Sequence, residues 1–328
     1  MVDVCDRLSI EKPVLQGAMG AVARYDLTAA VSNAGGLGTL SFLPPSYFAA
    51  EMKRLEADLD GKTFAANLLM PLIEKRHVEA CLNSNVPIVT LFYGFDQAIV
   101  DALKARGKIV LFQIGSLAEA RKVIAAGADG VIVQGFEAGG HVRGTTPLAD
   151  LLPQVKEAFP DHMVAGAGGI YDRASAEACR ALGADAVCAG TRFLASPEAS
   201  AHTAYKARIL EAEDTVYTNL FGMGWRDPHR VIPNAATRKW LGNDGKEPVW
   251  MPALHTVTNA LAKLAPAKDG GAAMTARQSL GRPLYTPNSL MPEMDESLLE
   301  LVALYAGAGV AHITEIWPAA KTVDELAP

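Results

Sequence analysis

A histidine surrounded by glycines lies in the segment 135–146, GFEAGGHVRGTT. Gly139 and Gly140 precede His141 and Gly144 follows it, and glycine lets the backbone pass close to a ligand. Histidine is the side chain best suited to moving a proton near neutral pH. A loop histidine can also be a solvated side chain or a helix cap, but this loop directly follows an apolar run. We therefore expect His141 to be an acid/base residue or a hydrogen-bond donor.

The residues around His141 and in the C-terminal part have less specific patterns. Glu137 and Arg143 could orient His141, although a solvent-facing position is the simpler interpretation. The segment 224–230, GWRDPHR, could line a substrate pocket or form a packed loop. Tyr305 is expected to pack at the end of a helix, with contact to a ligand as the alternative.

Two glycine-rich segments, AGAGGIYDR at 165–173 and AGTRF at 189–193, each end an apolar run. In barrels of alternating strands and helices, the loops after the last two strands often bind phosphate through backbone N–H groups. Glycine permits the close approach and Thr191 adds a hydroxyl. Each segment alone could simply be a tight turn, but both together favour an anion site.

The other strand ends carry amide side chains and almost no carboxylates. This argues against hydrolysis by paired acids and against metal binding by carboxylates. Asn and Gln provide donors and acceptors together, which suits a heteroaromatic ligand. The set consists of residues 16–19, Asn67, Gln113, Gln134, residues 166–169, Gly190 and Thr191.

These residues are positioned by eight short apolar runs that alternate with amphipathic stretches. Continuous runs of this kind are typical of parallel strands buried on both faces. The spacing favours an α/β fold of the TIM (β/α)8 barrel type; a dinucleotide-binding sheet would need GxGxxG after the first strand, where the chain reads QGAMGAVAR. The runs cover 13–19, 37–42, 63–70, 87–94, 108–115, 130–135, 162–169 and 186–194, with helices predicted at 26–34, 46–59, 97–106, 117–126 and 173–182.

The alternating pattern stops after Leu194. Helices are predicted at 197–213, 252–264 and 296–306, with a linker at 265–274. We expect a barrel formed by residues 1–197 and 281–328 and a smaller, mainly helical subdomain, 198–280, that covers the barrel mouth.

Composition excludes several classes of protein. The net charge of −6 and the pI near 5.7 argue against nucleic-acid binding. Because the sequence contains neither a long apolar run nor a basic, apolar start, we expect a cytoplasmic protein without membrane or export segments. The four cysteines are scattered with no CxxC pair, so neither a zinc site nor any other metal is expected.

Five of these segments, in order, resemble the FMN-dependent nitronate monooxygenase family, formerly called 2-nitropropane dioxygenases: PVLQGAMG, AANLL, QGFEAGGH, AGAGGI and GADAVCAGTRFL. The resemblance covers most of residues 8–196, with a weaker match in YAGAGV at 305–310. It implies a TIM barrel that carries FMN beneath a smaller domain.

The resemblance also implies roles for individual residues. His141 matches the family's active-site histidine. The cofactor-binding positions would be Gly17, Ala18 and Met19 beside the isoalloxazine, Asn67 and Gln113 at its polar edge, Gln134, Gly139 and Gly140 along the flavin and ribityl chain, and Ala167, Gly168, Gly169, Gly190 and Thr191 at the phosphate.

Three positions depart from the family pattern. Ala18 replaces a common glycine, and Gln113 and Gln134 stand where some relatives carry lysine and aspartate, which puts the tuning of the flavin in doubt.

The activity that the resemblance implies is oxidation of alkyl nitronates with O2 to carbonyl compounds and nitrite. The alternatives are an NAD(P)H-dependent quinone reductase, an FMN-containing enoyl-ACP reductase and, more distantly, a flavin-binding protein without turnover. A relation to IMP dehydrogenase barrels is disfavoured, because the loop after the sixth run has no cysteine. Apolar residues in the C-terminal segment would permit a homodimer.

Overall fold

The computed structural model describes residues 3–242, 245–264 and 272–327. Within them the strands are β1 (Val14–Gln16), β2 (Gly38–Leu40), β3 (Phe64–Leu69), β4 (Ile88–Phe92), β5 (Ile109–Ile114), β6 (Gly130–Gln134), β7 (Gly140–His141), β8 (Met163–Ala167), β9 (Ala186–Ala189), β10 (Val216–Thr218) and β11 (His229–Val231). Eight of them form one parallel sheet in the order β1-β9-β8-β6-β5-β4-β3-β2. A parallel bridge between Leu15 and Leu37 joins the two edges and completes the ring. The predicted TIM barrel is confirmed, with all eight apolar runs as its strands.

Helices lie between the barrel strands, as predicted. The five predicted barrel helices agree with the structure to within one residue, and α4 and α7 occupy two further connections. The helices are α1 (Val4–Leu8), α2 (Tyr25–Asn33), α3 (Pro45–Asp58), α4 (Lys75–Asn83), α5 (Gln97–Ala105), α6 (Leu117–Ala125), α7 (Leu148–Ala158), α8 (Arg173–Ala181), α9 (Thr191–Leu194), α10 (Thr203–Glu211), α11 (Ala235–Trp240), α12 (Met251–Leu264), α13 (Ala272–Thr275) and α14 (Ala319–Leu326).

Alternating side chains divide the core into two layers, because successive residues of a strand point to opposite faces. One set fills the barrel interior, including Leu15, Ile88, Leu111 and Ile132, and α1 adds Leu8 to the same cluster. The other set packs against the surrounding helices. Filling the interior leaves the carboxyl edge of the strands as the surface for chemistry.

The segment 198–280, predicted as a mainly helical cover, contains β structure that the sequence reasoning missed. β10, β11 and β7 form a small antiparallel sheet, so the cover is joined by backbone hydrogen bonds to the loop after β6. The helix predicted at 252–264 is confirmed as α12, while the one predicted at 197–213 is shorter, as α10. Most of the predicted linker, 265–271, lies outside the described residues. The domain division at 198 and 281 stays a prediction.

The predicted helix 296–306 is wrong. A 3-10 helix covers only Glu296–Glu300, and the chain then runs extended beside β11. Leu304 accepts a hydrogen bond from the Ile232 amide at 2.8 Å, and Tyr305 forms an antiparallel bridge with Val231. The backbone of this apolar segment therefore forms hydrogen bonds with the chain at β11 instead of the internal hydrogen bonds of a helix. The helix that returns to the barrel is α14, which packs on α2, α8 and α9.

Two kinds of feature, membrane-spanning helices and metal-binding clusters, are absent from the described residues. No helix among them is long and apolar enough to cross a membrane. Nor do three His, Cys, Asp or Glu side chains in that part of the chain lie close enough together to hold a metal ion. Burial raises the pKa of the Cys81, Cys179 and Cys188 thiols to about 12, so these cysteines are poor nucleophiles.

Candidate active site

The loop after β6 holds His141 at the barrel mouth through two sets of hydrogen bonds. Its backbone pairs with β11, which places His141 opposite His229. Gln134, the last residue of β6, donates from Nε2 to the His141 carbonyl at 2.9 Å and accepts the Arg143 amide at Oε1 at 2.8 Å. Both hydrogen-bonding ends of the Gln134 amide thus contact the loop backbone. Gln134 positions the histidine.

The His141 ring lies in an aromatic pocket. It stacks on Trp225 with ring centroids 3.8 Å apart and an interplanar angle of 18°. The rings of His229, Tyr305 and Tyr93 lie 5.3, 5.6 and 6.2 Å away. The predicted histidine is therefore brought together with Trp225 and His229 of the 224–230 segment.

His141 is held in its neutral form. Its Nε2 is buried and has no hydrogen-bond partner among the described residues. Burial, with a smaller effect from the neighbouring His229, lowers the pKa of His141 well below 6.5. At neutral pH the imidazole is uncharged, so one ring nitrogen carries a lone pair that can take a proton and the other an N–H that can donate.

Glu137 and Arg143 shape the loop and do not contact the imidazole. The Glu137 carboxylate accepts the Leu148 amide at 3.0 Å, at the first residue of α7. Arg143 pairs with Glu119, with Nε and Oε1 2.6 Å apart, and Glu119 also accepts the Gly115 amide. Arg143 is exposed, as the simpler interpretation predicted, whereas Glu137 is partly buried.

Two of the five residues predicted for the phosphate, Gly169 and Thr191, line one small cavity. Gly168 and Gly169 have left-handed backbones, with φ of 115° and 70°. The cavity measures about 20 Å³ and is lined by Gly169, Ile170, Tyr171, Thr191, Gly307, Gly309, Val310 and Ile313. Thr191 Oγ1 accepts the Gly307 amide at 2.9 Å. The C-terminal segment 305–310 thus closes the site that the loops after β8 and β9 begin.

The donors around this cavity suit the phosphate of FMN. The lining includes a threonine hydroxyl and glycine backbone and contains no carboxylate. Its volume is about that of one water molecule. A phosphate is larger than this cavity.

The remaining predicted cofactor residues lie along the same barrel edge. The Gly17 amide donates to the Ala189 carbonyl at 2.8 Å, and Met19 Sδ lies 3.8 Å from where a Cβ on Gly190 would stand. Ala18 lies between them in the chain. Asn67 on β3 donates to Thr90 Oγ1 at 2.9 Å, and Gln113 is partly buried on β5. Ala167 ends β8 and accepts the Gly135 amide.

Sequence reasoning missed Tyr93 and assigned no role to Gly307. Tyr93 is the first residue after β4, so its place at a strand end was the available signal. Gly307 contacts Thr191, which lies 116 positions earlier in the chain. The only sequence signal for a role of Gly307 was its glycine-rich context.

Gly139→Ala is expected to disturb the contact between the His141 loop and the C-terminal segment. A Cβ on Gly139 would stand 2.4 Å from Ala306 C and from Gly307 N, so backbone atoms must shift. We expect less flavin per protein after purification and a free energy of unfolding lower by about 1–3 kcal/mol. Gly281→Ala is the matched control, because its nearest neighbour would be 3.9 Å away. Equal flavin content and stability in both variants would contradict the prediction.

Comparison with known proteins agrees with this geometry. The family model described as nitronate monooxygenase matches residues 3–77 and 73–328. A probable nitronate monooxygenase of Staphylococcus saprophyticus is 31% identical over 322 residues, covering 82% of this chain and 88% of that protein. The (3aS,4S,5R,7aS)-5-hydroxy-7a-methyl-1-oxo-octahydro-1H-indene-4-carboxyl-CoA dehydrogenase of Rhodococcus jostii is 37% identical over 69% of this chain. The match spans only 64% of that dehydrogenase's length.

Two solved structures superimpose on nearly the whole chain. FabK from Thermotoga maritima superimposes with a TM-score of 0.76 at 31% identity, covering 99% of this chain and 94% of FabK. Nitroalkane oxidase from Streptomyces ansochromogenes superimposes with a TM-score of 0.75 at 30% identity, covering 99% and 96%. With a family model that spans nearly the whole sequence and a barrel edge that carries the expected residues, the chain belongs to the nitronate monooxygenase family.

Proposed function

We propose that this chain is an FMN-dependent oxidoreductase that oxidises alkyl nitronates with O2 to carbonyl compounds and nitrite. The observation that carries the proposal is the neutral His141 imidazole, whose ring is stacked on Trp225 at the barrel mouth and whose buried Nε2 has no partner among the described residues. Membership of the family supports the cofactor and the type of reaction.

The proposed FMN site combines three parts of the barrel edge. The phosphate would be held by Gly168, Gly169, Gly190 and Thr191, and Gly307 would complete the site. The ring system would lie beside Gly17, Ala18 and Met19, with Asn67 and Gln113 at its polar edge. Ala167, Gln134, Gly139 and Gly140 would line the remaining length. FMN, when bound, supplies the electron acceptor for the substrate and the electron donor for O2.

His141 has two uses in this reaction. Towards a nitronate, the imidazole N–H donates a hydrogen bond to a nitro oxygen. Towards a neutral nitroalkane, the ring's lone pair takes the proton on the carbon next to the nitro group. Trp225 and Tyr93 keep water away from the ring, because their side chains cover it.

A second candidate is reduction or dehydrogenation of an acyl thioester or quinone with a nicotinamide partner. The carboxyl-CoA dehydrogenase at 37% identity and FabK at 31% identity favour it. It uses the same imidazole as the proton donor or acceptor, so the geometry of the site serves both candidates.

Anaerobic mixing tests the proposal. The purified protein is expected to be yellow, and propyl-2-nitronate alone is expected to bleach the flavin absorbance. Bleaching by NADH or NADPH alone, with no response to nitronate, would replace the proposal with the reductase. Colourless protein that takes up no FMN would remove both.

A further inference from the structure

Tyr93 combines two unfavourable features at the edge of the candidate active site. Its backbone has a φ of 62°, in the left-handed region that disfavours residues with a side chain. Four non-glycine residues in the described part of the chain share such a backbone, Ser9, Ala21, Asp60 and Tyr93, and Tyr93 is the only aromatic one. Backbone strain of this kind is concentrated at functional sites.

The Tyr93 hydroxyl is also buried without a partner. The residue is 8% exposed, and its oxygen makes no hydrogen bond with the residues that the structure describes. A buried hydroxyl without a partner destabilises the folded state. Burial raises the pKa of Tyr93 above its usual value of 10, so the hydroxyl keeps its proton and can donate it to a hydrogen bond.

The position of Tyr93 explains both features if a ligand supplies the missing acceptor. Tyr93 follows β4, at the carboxyl edge of the barrel where ligands bind. Its ring meets Trp225 edge-on, with centroids 5.0 Å apart, and His141 at 6.2 Å. The Arg143 guanidinium, paired with Glu119, lies 5.1 Å from the ring centroid. The same pocket thus contains the Tyr93 hydroxyl and His141 Nε2, both buried without a hydrogen-bond partner in the part of the chain that the structure describes.

We infer that Tyr93 is a second substrate-binding residue, whose hydroxyl donates a hydrogen bond to a negatively charged oxygen of a planar substrate that also contacts His141. An alkyl nitronate has this shape and charge. The inference rests on the proposed location of the reaction at His141.

Tyr93→Phe tests the hydroxyl alone, because phenylalanine keeps the ring and its contacts. The probe is isobutyrate, an anion whose planar carboxylate takes the place of the nitro group of propyl-2-nitronate and which the flavin cannot oxidise. Titration calorimetry of the purified flavoprotein is expected to show binding weaker by about 10- to 100-fold, the effect of losing a hydrogen bond to a charged group. Tyr47→Phe, which removes a hydroxyl from a residue that is 60% exposed, is the control and should bind like the wild type.

Urea unfolding without isobutyrate separates this role from a structural one. Tyr93→Phe should unfold at the same or a higher urea concentration, because the hydroxyl has no partner to lose. Tyr305→Phe should unfold at a lower one, because the Tyr305 hydroxyl donates to the Pro287 carbonyl at 2.8 Å. Unchanged isobutyrate affinity in Tyr93→Phe, lowered stability of that variant, or no binding by the wild type would each overturn the inference. Isobutyrate binding that depends on Tyr93, in a protein that nitronate does not bleach, would leave the inference standing and reject the nitronate reaction.

Discussion

His141→Asn is expected to lower kcat for nitroalkane or nitronate oxidation by about 100- to 10,000-fold, the range in which a positioned acid/base side chain contributes. The physical reason is the loss of a neutral imidazole whose Nε2 is buried without a partner among the described residues and whose ring lies between Trp225 and Tyr93. Asparagine can still donate a hydrogen bond, but it cannot take a proton near neutral pH. The effect should therefore be larger with the neutral nitroalkane than with the nitronate anion.

The flavin content of the variant and the dependence of kcat/KM on pH identify the cause of the lowered kcat. His141→Asn should keep its flavin, since no predicted cofactor contact is removed. In the wild type, kcat/KM for the nitroalkane should stay level from neutral pH to well below 6.5, because burial lowers the pKa of His141 and the base stays unprotonated. His162→Asn is the control, because His162 directly precedes β8, at the end of the barrel opposite the mouth. An unchanged rate in His141→Asn would refute the role of this residue.

The barrel could be predicted from the sequence because each of its elements carries its own signal. The apolar runs are strands buried on both faces, and Gly127 and Gly183, with left-handed backbones, end α6 and α8. The cover could not be predicted in the same way. Its sheet pairs β7 with β11, strands of two and three residues separated by 87 positions, and such short strands have no periodicity to read.

The same distinction applies to the candidate site. His141, Gly168 and Thr191 were predictable, because their residue types at strand ends indicate proton transfer or anion binding. Tyr93 was not, because an aromatic residue after an apolar strand looks like core, and only its backbone φ and unpaired hydroxyl distinguish it. Gly307 becomes part of the site only when the extended segment beside β11 brings it to Thr191.

The protein is expected to lose stability steeply between pH 6.5 and pH 4.5, above the range in which carboxylates usually titrate. Burial lowers the pKa of both His229 and His255 to about 4, and that of His141 well below 6.5. The unfolded chain takes up a proton at each of these histidines near pH 6.5, while the folded chain does not until the pH is much lower. Acid therefore favours the unfolded state.

The size of the effect follows from the pKa values. A shift from 6.5 to about 4 corresponds to about 3 kcal/mol for each of His229 and His255 when the pH has fallen through the whole interval. Most single domains have about 5–15 kcal/mol of total stability. The lowered pKa values of Glu300 and Asp295 reduce stability only near and below their usual values of 4.5 and 3.8, so they do not account for a loss at pH 5 to 6.

His255→Phe separates the contribution of one histidine. Both ring nitrogens of His255 are buried without partners in the described part of the chain, so phenylalanine should leave stability at pH 7 unchanged or higher. Between pH 6.5 and 4.5 the variant should lose less stability than the wild type, since one fewer buried imidazole resists protonation. Urea unfolding at half-unit pH steps measures both effects, with His162→Asn as the control that keeps His141, His229 and His255. If the free energy of unfolding of His255→Phe depended on pH as steeply as that of the wild type, His255 would be protonated as easily in the folded protein as in the unfolded chain. Acid sensitivity would then have to come from another group.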